Sequence, residues 1–245
     1  MDLYEQRRTM VEPGRFREYR QLYLEVTWPR LVEAGLRPLC LLNPTIGGTP
    51  EEVHSFVGFP SWDDWRRGQE IIAGLGDQAY RELRAALVVG ETVHPKIAFS
   101  GRPLEPETPP EDRRAVYGLR RWTIDPANWD LFTDLSENGV WPAMDAMDHR
   151  VLGQFRDAAL TDPLLVTNLA GYRSVGHWHE TRFALDPSYG VPQELRDLFA
   201  ERGRERNSIV RHTWVQLMNA HWPDVEATQS GGNPSSFREV FPRGA

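Results

Sequence analysis

Apolar and polar residues follow two rhythms along this chain, and each rhythm occurs twice. Residues 3–11 read as a strand that stops at Pro13-Gly14, and 116–124 read as a second such strand that stops at Asp125-Pro126. Phe16, Tyr19, Leu22, Tyr23, Val26 and Leu31 then recur at helical spacing, as do Trp129, Phe132, Leu135 and Met144 in the later stretch. Pro29 and Pro142 fall late in these two helices. Proline removes a backbone donor and crowds the preceding turn, so each helix is expected to kink or end there. Second strands follow over 36–42 and 150–155, the first with a loop at 45–50, and third strands over 53–59 and 165–172. Ser61 and Ser174 stand where a side-chain oxygen would cap a new helix. The first of these helices is expected to run over 62–87 and lead to a strand at 92–99. The second is interrupted by a proline-rich loop at 186–192, resumes over 193–206 and leads to a strand at 213–218.

The two halves are copies. Laying residues 4–65 on 117–178 without a gap matches Tyr4 with Tyr117, Arg7-Arg8 with Arg120-Arg121, Trp28-Pro29 with Trp141-Pro142, Ser61 with Ser174 and Trp65 with Trp178. A unit of this length is a small domain and too long for a solenoid repeat. Each copy has the order strand-helix-strand-strand-helix-strand, so the expected fold is α+β: two tandem ferredoxin-like modules forming a pseudo-dimeric α/β barrel. The expected boundaries are 1–100 for the first module, 101–113 for a proline-rich linker, 114–222 for the second module and 223–245 for a tail.

Composition narrows the function classes. A net charge of −7 without a basic stripe argues against a nucleic-acid partner. No apolar run approaches the roughly 20 residues that span a bilayer, and the first repeat begins too early for a signal peptide, so the expected location is the cytoplasm. Cys40 stands alone, which rules out an internal disulfide and a thiolate-rich metal site. Lys96 is the single lysine, hence the single candidate for lysine-based covalent catalysis, and the arginine bias points to a GC-rich bacterial source.

The run 4–14, Tyr-Glu-Gln-Arg-Arg-Thr-Met-Val-Glu-Pro-Gly, resembles the opening signature of the NIPSNAP family, in which a Tyr-Glu-Leu-Arg strand leads to Pro-Gly. Its copy at 117–122 keeps the arginine and loses the glutamate. Pro29 and Pro142, the stretch Val53-His54-Ser55-Phe56, and Phe59 or Tyr172 ahead of the second helix extend the resemblance over most of both modules. It implies the dimeric α/β-barrel superfamily, with cofactor-free oxygenases, isomerases and haem enzymes among its members, and so leaves the reaction open.

Glu5, Arg7 and Thr9 share one face of the first strand, and Gly118, Arg120 and Trp122 share that face in the copy. Arg7 has Glu5 as a ready partner. Arg120 has lost it, which makes Arg120 the candidate to hold an anionic or carbonyl oxygen. His177-Trp178-His179-Glu180 is the most reactive cluster in the chain. His177 and Glu180 share a helix face and suit general-base work, with surface or capping roles as the alternative, whereas His177 and His179 diverge and do not form a metal pair. The expected catalytic residues are therefore His177, His179 and Glu180, and the expected substrate-binding residues are Arg120, Trp122, Trp141, Tyr172 and His54. The expectation is an enzyme of bacterial small-molecule metabolism that oxygenates, isomerises or cyclises an apolar or aromatic substrate without a cofactor; the alternative is a ligand-binding or assembly protein. No phosphate loop, nucleophile elbow or zinc-helix motif is present, while a haem held by one histidine, or a single metal ion, needs no motif and stays open. A homodimer of the two-module chain is a further expectation.

Overall fold

The computed structural model describes residues 3–99 and 113–223; the expected linker and tail lie almost wholly outside them. Elements follow the expected order. The first copy contains β1 (Leu3–Val11), α1 (Phe16–Leu22), α2 (Trp28–Glu33), β2 (Arg37–Ile46), β3 (Glu52–Phe59), α3 (Trp62–Ala73), α4 (Gln78–Ala85) and β4 (Val88–Ala98). The second contains β5 (Val116–Ile124), α5 (Trp129–Leu135), α6 (Trp141–Ala146), β6 (Arg150–Asp157), β7 (Leu164–Tyr172), α7 (Val175–Glu180), α8 (Gln193–Ser208) and β8 (Val210–His221). The fold is α+β, and its strands close into a barrel in the order β1-β3-β2-β8-β5-β7-β6-β4. No helix among the described residues is long and apolar enough to cross a membrane.

The described residues divide into two compact units: 3–44, 48–95 and 220–223 form unit 1, and 45–47, 96–99 and 113–219 form unit 2. In unit 1, β1 and β2 both pair antiparallel with β3, and Arg7, Ser55 and Leu41 lie in one cross-strand row. In unit 2, β5 lies between β7 and β8, and β6 pairs with β7. One row there runs Val215, Arg120, Asn168, Gln154. Directly opposed residues on neighbouring strands point to the same face, so each row presents its side chains together.

Two expectations about helices are corrected. The prolines do not stop their helices. A five-residue π-helical turn, Tyr23–Thr27 in one copy and Ser136–Val140 in the other, precedes each Trp-Pro pair, and the helix then continues. The proline thereby occupies the first turn of a new α-helical stretch, where its missing N–H is least costly. The expected helix over 62–87 is two helices. Gly74 adopts φ 72° and closes α3 with Leu75 N–H donating to Glu70 O at 3.0 Å, and Asp77 caps α4 by accepting from Tyr80 N at 2.9 Å. A Cβ at position 74 would lie 2.5 Å from the Tyr80 ring, so the break is also a packing requirement. Both serine caps are present: Ser61 accepts from Asp64 N and Ser174 from His177 N.

Candidate functional site

In unit 1, Glu5, Arg7 and Thr9 leave β1 toward α1 and α3 and form a closed polar network. Arg7 Nε donates to Glu5 Oε1 and Nη1 to Glu91 Oε2, each at 2.9 Å, while Nη2 meets Gln69 Oε1. Trp65 Nε1 and Gln69 Nε2 donate to the other Glu5 oxygen at 2.7 and 2.6 Å. Arg84, in the last turn of α4, pairs with Glu91, and Thr9 Oγ1 donates to Glu91 at 2.9 Å. Burial pushes Glu91 up, but Arg84 and Arg7 beside it more than offset this and hold it below its ordinary value. Burial likewise pulls Arg84 down, and Glu91 reverses the effect. Two guanidiniums thus face two carboxylates. The neighbouring space among Tyr19, Tyr23, Tyr80 and Arg84 has no room for a water molecule.

Unit 2 keeps the arginines and lacks the acids. Glu5 is replaced by Gly118, whose added Cβ would lie 3.2 Å from the Tyr172 ring. Arg206 sits in the last turn of α8 as Arg84 does in α4, and it precedes Thr213 by as many residues as Arg84 precedes Glu91, so Thr213 stands where Glu91 would. Arg120 and Arg206 lie 5.8 and 5.6 Å from the Trp122 ring centroid, and Arg206 is 5.7 Å from that of Phe132. Among the described residues neither has a carboxylate partner. Burial lowers the pKa of Arg120, with Tyr172 opposing and Arg182 adding to the fall. Burial and then Arg120 push Arg206 down to about 10. Arg182, where unit 1 has Gln69, lies 5.6 Å from the Trp178 ring centroid and adds a third positive charge.

The floor of this cluster is polar. Arg206 Nη1 donates to Ser136 Oγ at 3.3 Å, Gln154 Nε2 donates to the same oxygen at 3.4 Å, and Ser136 gives its own proton to Phe132 O at 2.8 Å. Arg206 Nε, Gln154 Oε1 and Asn168 Oδ1 are buried without hydrogen-bond partners. The counterparts of Ser136 and Gln154 in unit 1 are Tyr23 and Leu41, a ring and an aliphatic side chain, so the polar floor is not part of the repeated architecture.

Of the residues singled out from sequence, Arg120, Trp122 and Tyr172 come together. Tyr172 is buried beside Arg120; burial raises its phenol, Arg120 pulls the other way, and the result is about 12. His177 contacts the Tyr172 ring edge-on at 6.1 Å, yet its ring is fully engaged: Nδ1 accepts from Arg173 N at 3.1 Å, so Nε2 carries the proton and donates to Met147 O at 2.7 Å. That makes His177 a clamp between the start of α7 and the end of α6, with no lone pair left for proton transfer or for an iron. His179 and Glu180 are exposed on α7, the former against the Phe183 ring. Trp141 packs against Phe99. His54 belongs to unit 1, where it is fully buried between Glu52 at 2.7 Å and Gln6 at 3.1 Å. Lys96 is also buried, with its ammonium on Asp157 and Thr167. No group of three or more His, Cys, Asp or Glu among the described residues could hold a metal ion. Arg206, Ser136, Gln154 and Asn168 were not singled out from sequence, although the arginine ending each second helix was a usable signal.

No protein-family model and no curated sequence matches the chain. Solved structures do. A proposed monooxygenase from Lactobacillus acidophilus superposes with a TM-score of 0.60 at 10% identity, covering 89% of this chain and 93% of its own. An anthrone oxidase-like protein gives 0.52 at 11% identity, covering 90% and 91%, and a proposed monooxygenase from Fusobacterium nucleatum gives 0.52 at 10%, covering 89% and 92%. At these identities the likeness concerns the fold, the dimeric α/β barrel, over nearly the whole chain.

Proposed function

We propose that the chain is a small-molecule enzyme acting on the helix side of unit 2, on an apolar or aromatic substrate bound through an oxygen that carries or develops negative charge. The observation behind this reading is the Arg120 and Arg206 pair, two guanidiniums beside one indole with no carboxylate partner among the described residues. Uncompensated buried charge destabilises a fold, and a bound anion offsets it. Trp122 and Phe132, packed edge to face at 5.3 Å in the core of unit 2, hold the guanidiniums against apolar rings, and the guanidiniums supply donors at the oxygen.

Such an arrangement favours one kind of chemistry. When solvent hydroxide takes a proton next to a carbonyl, or from a phenol, water forms and charge appears on the substrate oxygen, and fixed cations there lower the barrier because they bind that state better than the neutral substrate. The delocalised anion then isomerises on reprotonation at another carbon, closes onto an internal electrophile, or passes electrons to dioxygen, so the three reaction types share a first step. In this reading Tyr172, which burial keeps protonated at neutral pH, donates to the oxygen. The NIPSNAP resemblance of residues 4–14 is the finer family reading that accompanies this proposal.

Anthrone, which appears in the name of one structural neighbour, is an aryl ketone of the required kind and a suitable first substrate: with one dioxygen it gives anthraquinone and one water. Oxygen uptake is expected with the native chain and is expected to fall at least about 100-fold in Arg120→Met. An unchanged rate in that variant would sink the reading. The occupied ring nitrogens of His177 favour a second reading, a ligand-binding protein that lacks a base. Tight binding of aryl anions with no turnover across a panel of ketones and phenols would select it.

A further inference from the structure

The unsatisfied groups around Arg206 are of two kinds. Arg206 Nε is a donor without an acceptor, while Gln154 Oε1 and Asn168 Oδ1 are acceptors without donors. The orientation of Gln154 follows from its neighbours. Ser136 gives its only proton to Phe132 O, so toward Gln154 it can only accept; the amide must therefore present its NH2 to Ser136 and its oxygen to the cluster. Asn168 stands between Arg120 and Gln154 in the same cross-strand row.

A plain anion would satisfy the guanidiniums and at the same time face these amide oxygens with like polarity. A neutral donor would do the reverse. We infer that the ligand of unit 2 presents a hydroxyl or N–H donor directly beside its anionic oxygen, as an ortho-hydroxy aryl carboxylate or the enolate of an ortho-hydroxy aryl ketone does. The anionic oxygen lies against Arg120 and Arg206, and the donor lies against Gln154 Oε1 or Asn168 Oδ1. Arg206 and Gln154 meet on one serine oxygen, at 3.3 and 3.4 Å, which is why the two ligand groups must be adjacent. This inference rests on the reading of unit 2 as an anion site and specifies what accompanies the anion. Unit 1 supplies the contrast, since its corresponding row, Arg7, Ser55 and Leu41, has an aliphatic side chain where Gln154 stands.

The test is equilibrium binding, read by quenching of tryptophan fluorescence, of 3-hydroxy-2-naphthoate, 3-methoxy-2-naphthoate and 2-naphthoate. The hydroxy compound is expected to bind about tenfold or more tighter than the other two, because only its hydroxyl, released from the internal bond to its carboxylate once the guanidiniums take that carboxylate, can give the buried acceptors a proton. In Gln154→Leu the preference is expected to shrink to near unity while 2-naphthoate still binds, which also reports that the variant is folded; Asn168→Leu is the second variant if the first fails to fold. Equal affinities of the three compounds for the native chain would assign the amide oxygens to water and overturn the inference while leaving the anion site intact. A preference that persists in both leucine variants would overturn it as well. Failure of all three to bind would overturn it together with the proposed anion site.

Discussion

Arg7 with Arg84, and Arg120 with Arg206, occupy matching places in two copies of one architecture, and their surroundings are opposite. In unit 1, Glu5 and Glu91 neutralise the pair and Tyr23 is buried where unit 2 has Ser136. In unit 2 those positions are Gly118, Thr213 and Ser136, and the pair keeps its charge beside Trp122. Duplication gives a chain two chances at the same cluster. One copy compensates its charges internally, and the other, in the proposed reading, leaves an imbalance that a bound anion would relieve.

The sharpest way to break this comparison is to remove the acid that unit 1 relies on. Glu91→Gln strands Arg84 and part of Arg7 in a largely buried network, and is expected to reduce unfolding free energy by about 3–5 kcal/mol in urea titration. A change below about 1 kcal/mol would mean that compensation is not what unit 1 depends on.

Acid should act on the same side. His54 and Arg8 hold Glu52 well below its ordinary 4.5, to about 2, against the opposing effect of burial. A depressed carboxylate contributes stability that is present above the unfolded value and lost as pH falls through the folded one, so the window lies between about 4.5 and about 2. The loss amounts to roughly 3 kcal/mol if the whole shift is realised. Glu91, also lowered, adds to it in the same direction. Hydrogen exchange followed down this range should show β1 and β3 losing protection before β5 and β7. Simultaneous loss would count against a difference between the units.

Arg206→Met is expected to move stability the other way, upward by about 1 kcal/mol, because it removes a half-buried cation without a carboxylate partner among the described residues and keeps similar bulk. Calorimetry of the unliganded chain measures this, and the same variant is expected to lose affinity for 2-naphthoate. Destabilisation would mean that the Arg206 contacts to Ser136, Trp122 and Phe132 outweigh its desolvation. The smallest effect is expected from restoring to unit 2 what unit 1 has. Thr213→Glu should raise stability by about 1 kcal/mol and weaken naphthoate binding about tenfold, by placing a carboxylate against Arg120 and Arg206. Unaltered naphthoate affinity would place the bound anion away from these two residues.

Much of the frame was legible because it depends on local periodicity and on a repeat. β1 and β5 fall on the alternating stretches, the serine caps fall at Ser61 and Ser174, and the interrupted helix of the second copy opens at 186–192 as its prolines indicate. That Arg120 lacks the glutamate partner of Arg7 was legible from one replaced residue, Gly118. The loss of the second acid was hidden, because the gap-free match stops at residues 65 and 178, and the extra loop before α8 shifts Arg206 and Thr213 out of register with Arg84 and Glu91. The histidine cluster pointed to chemistry by composition alone, and the fate of His177 depended on a carbonyl at Met147, distant in sequence.

By itself the sequence determined the two-copy α+β plan, the strand faces and the identity of the arginine that lost its partner, since each follows from spacing along one chain segment. Only the tertiary structure decided that Arg206 joins Arg120 over Trp122, that Gln154 and Asn168 hold buried oxygens without partners among the described residues in the same unit, and that His177 is tied to the backbone. Those outcomes depend on which side chains distant segments bring within hydrogen-bond reach, and in a low-dielectric place the presence or absence of one carboxylate separates a neutralised network from guanidiniums left without one.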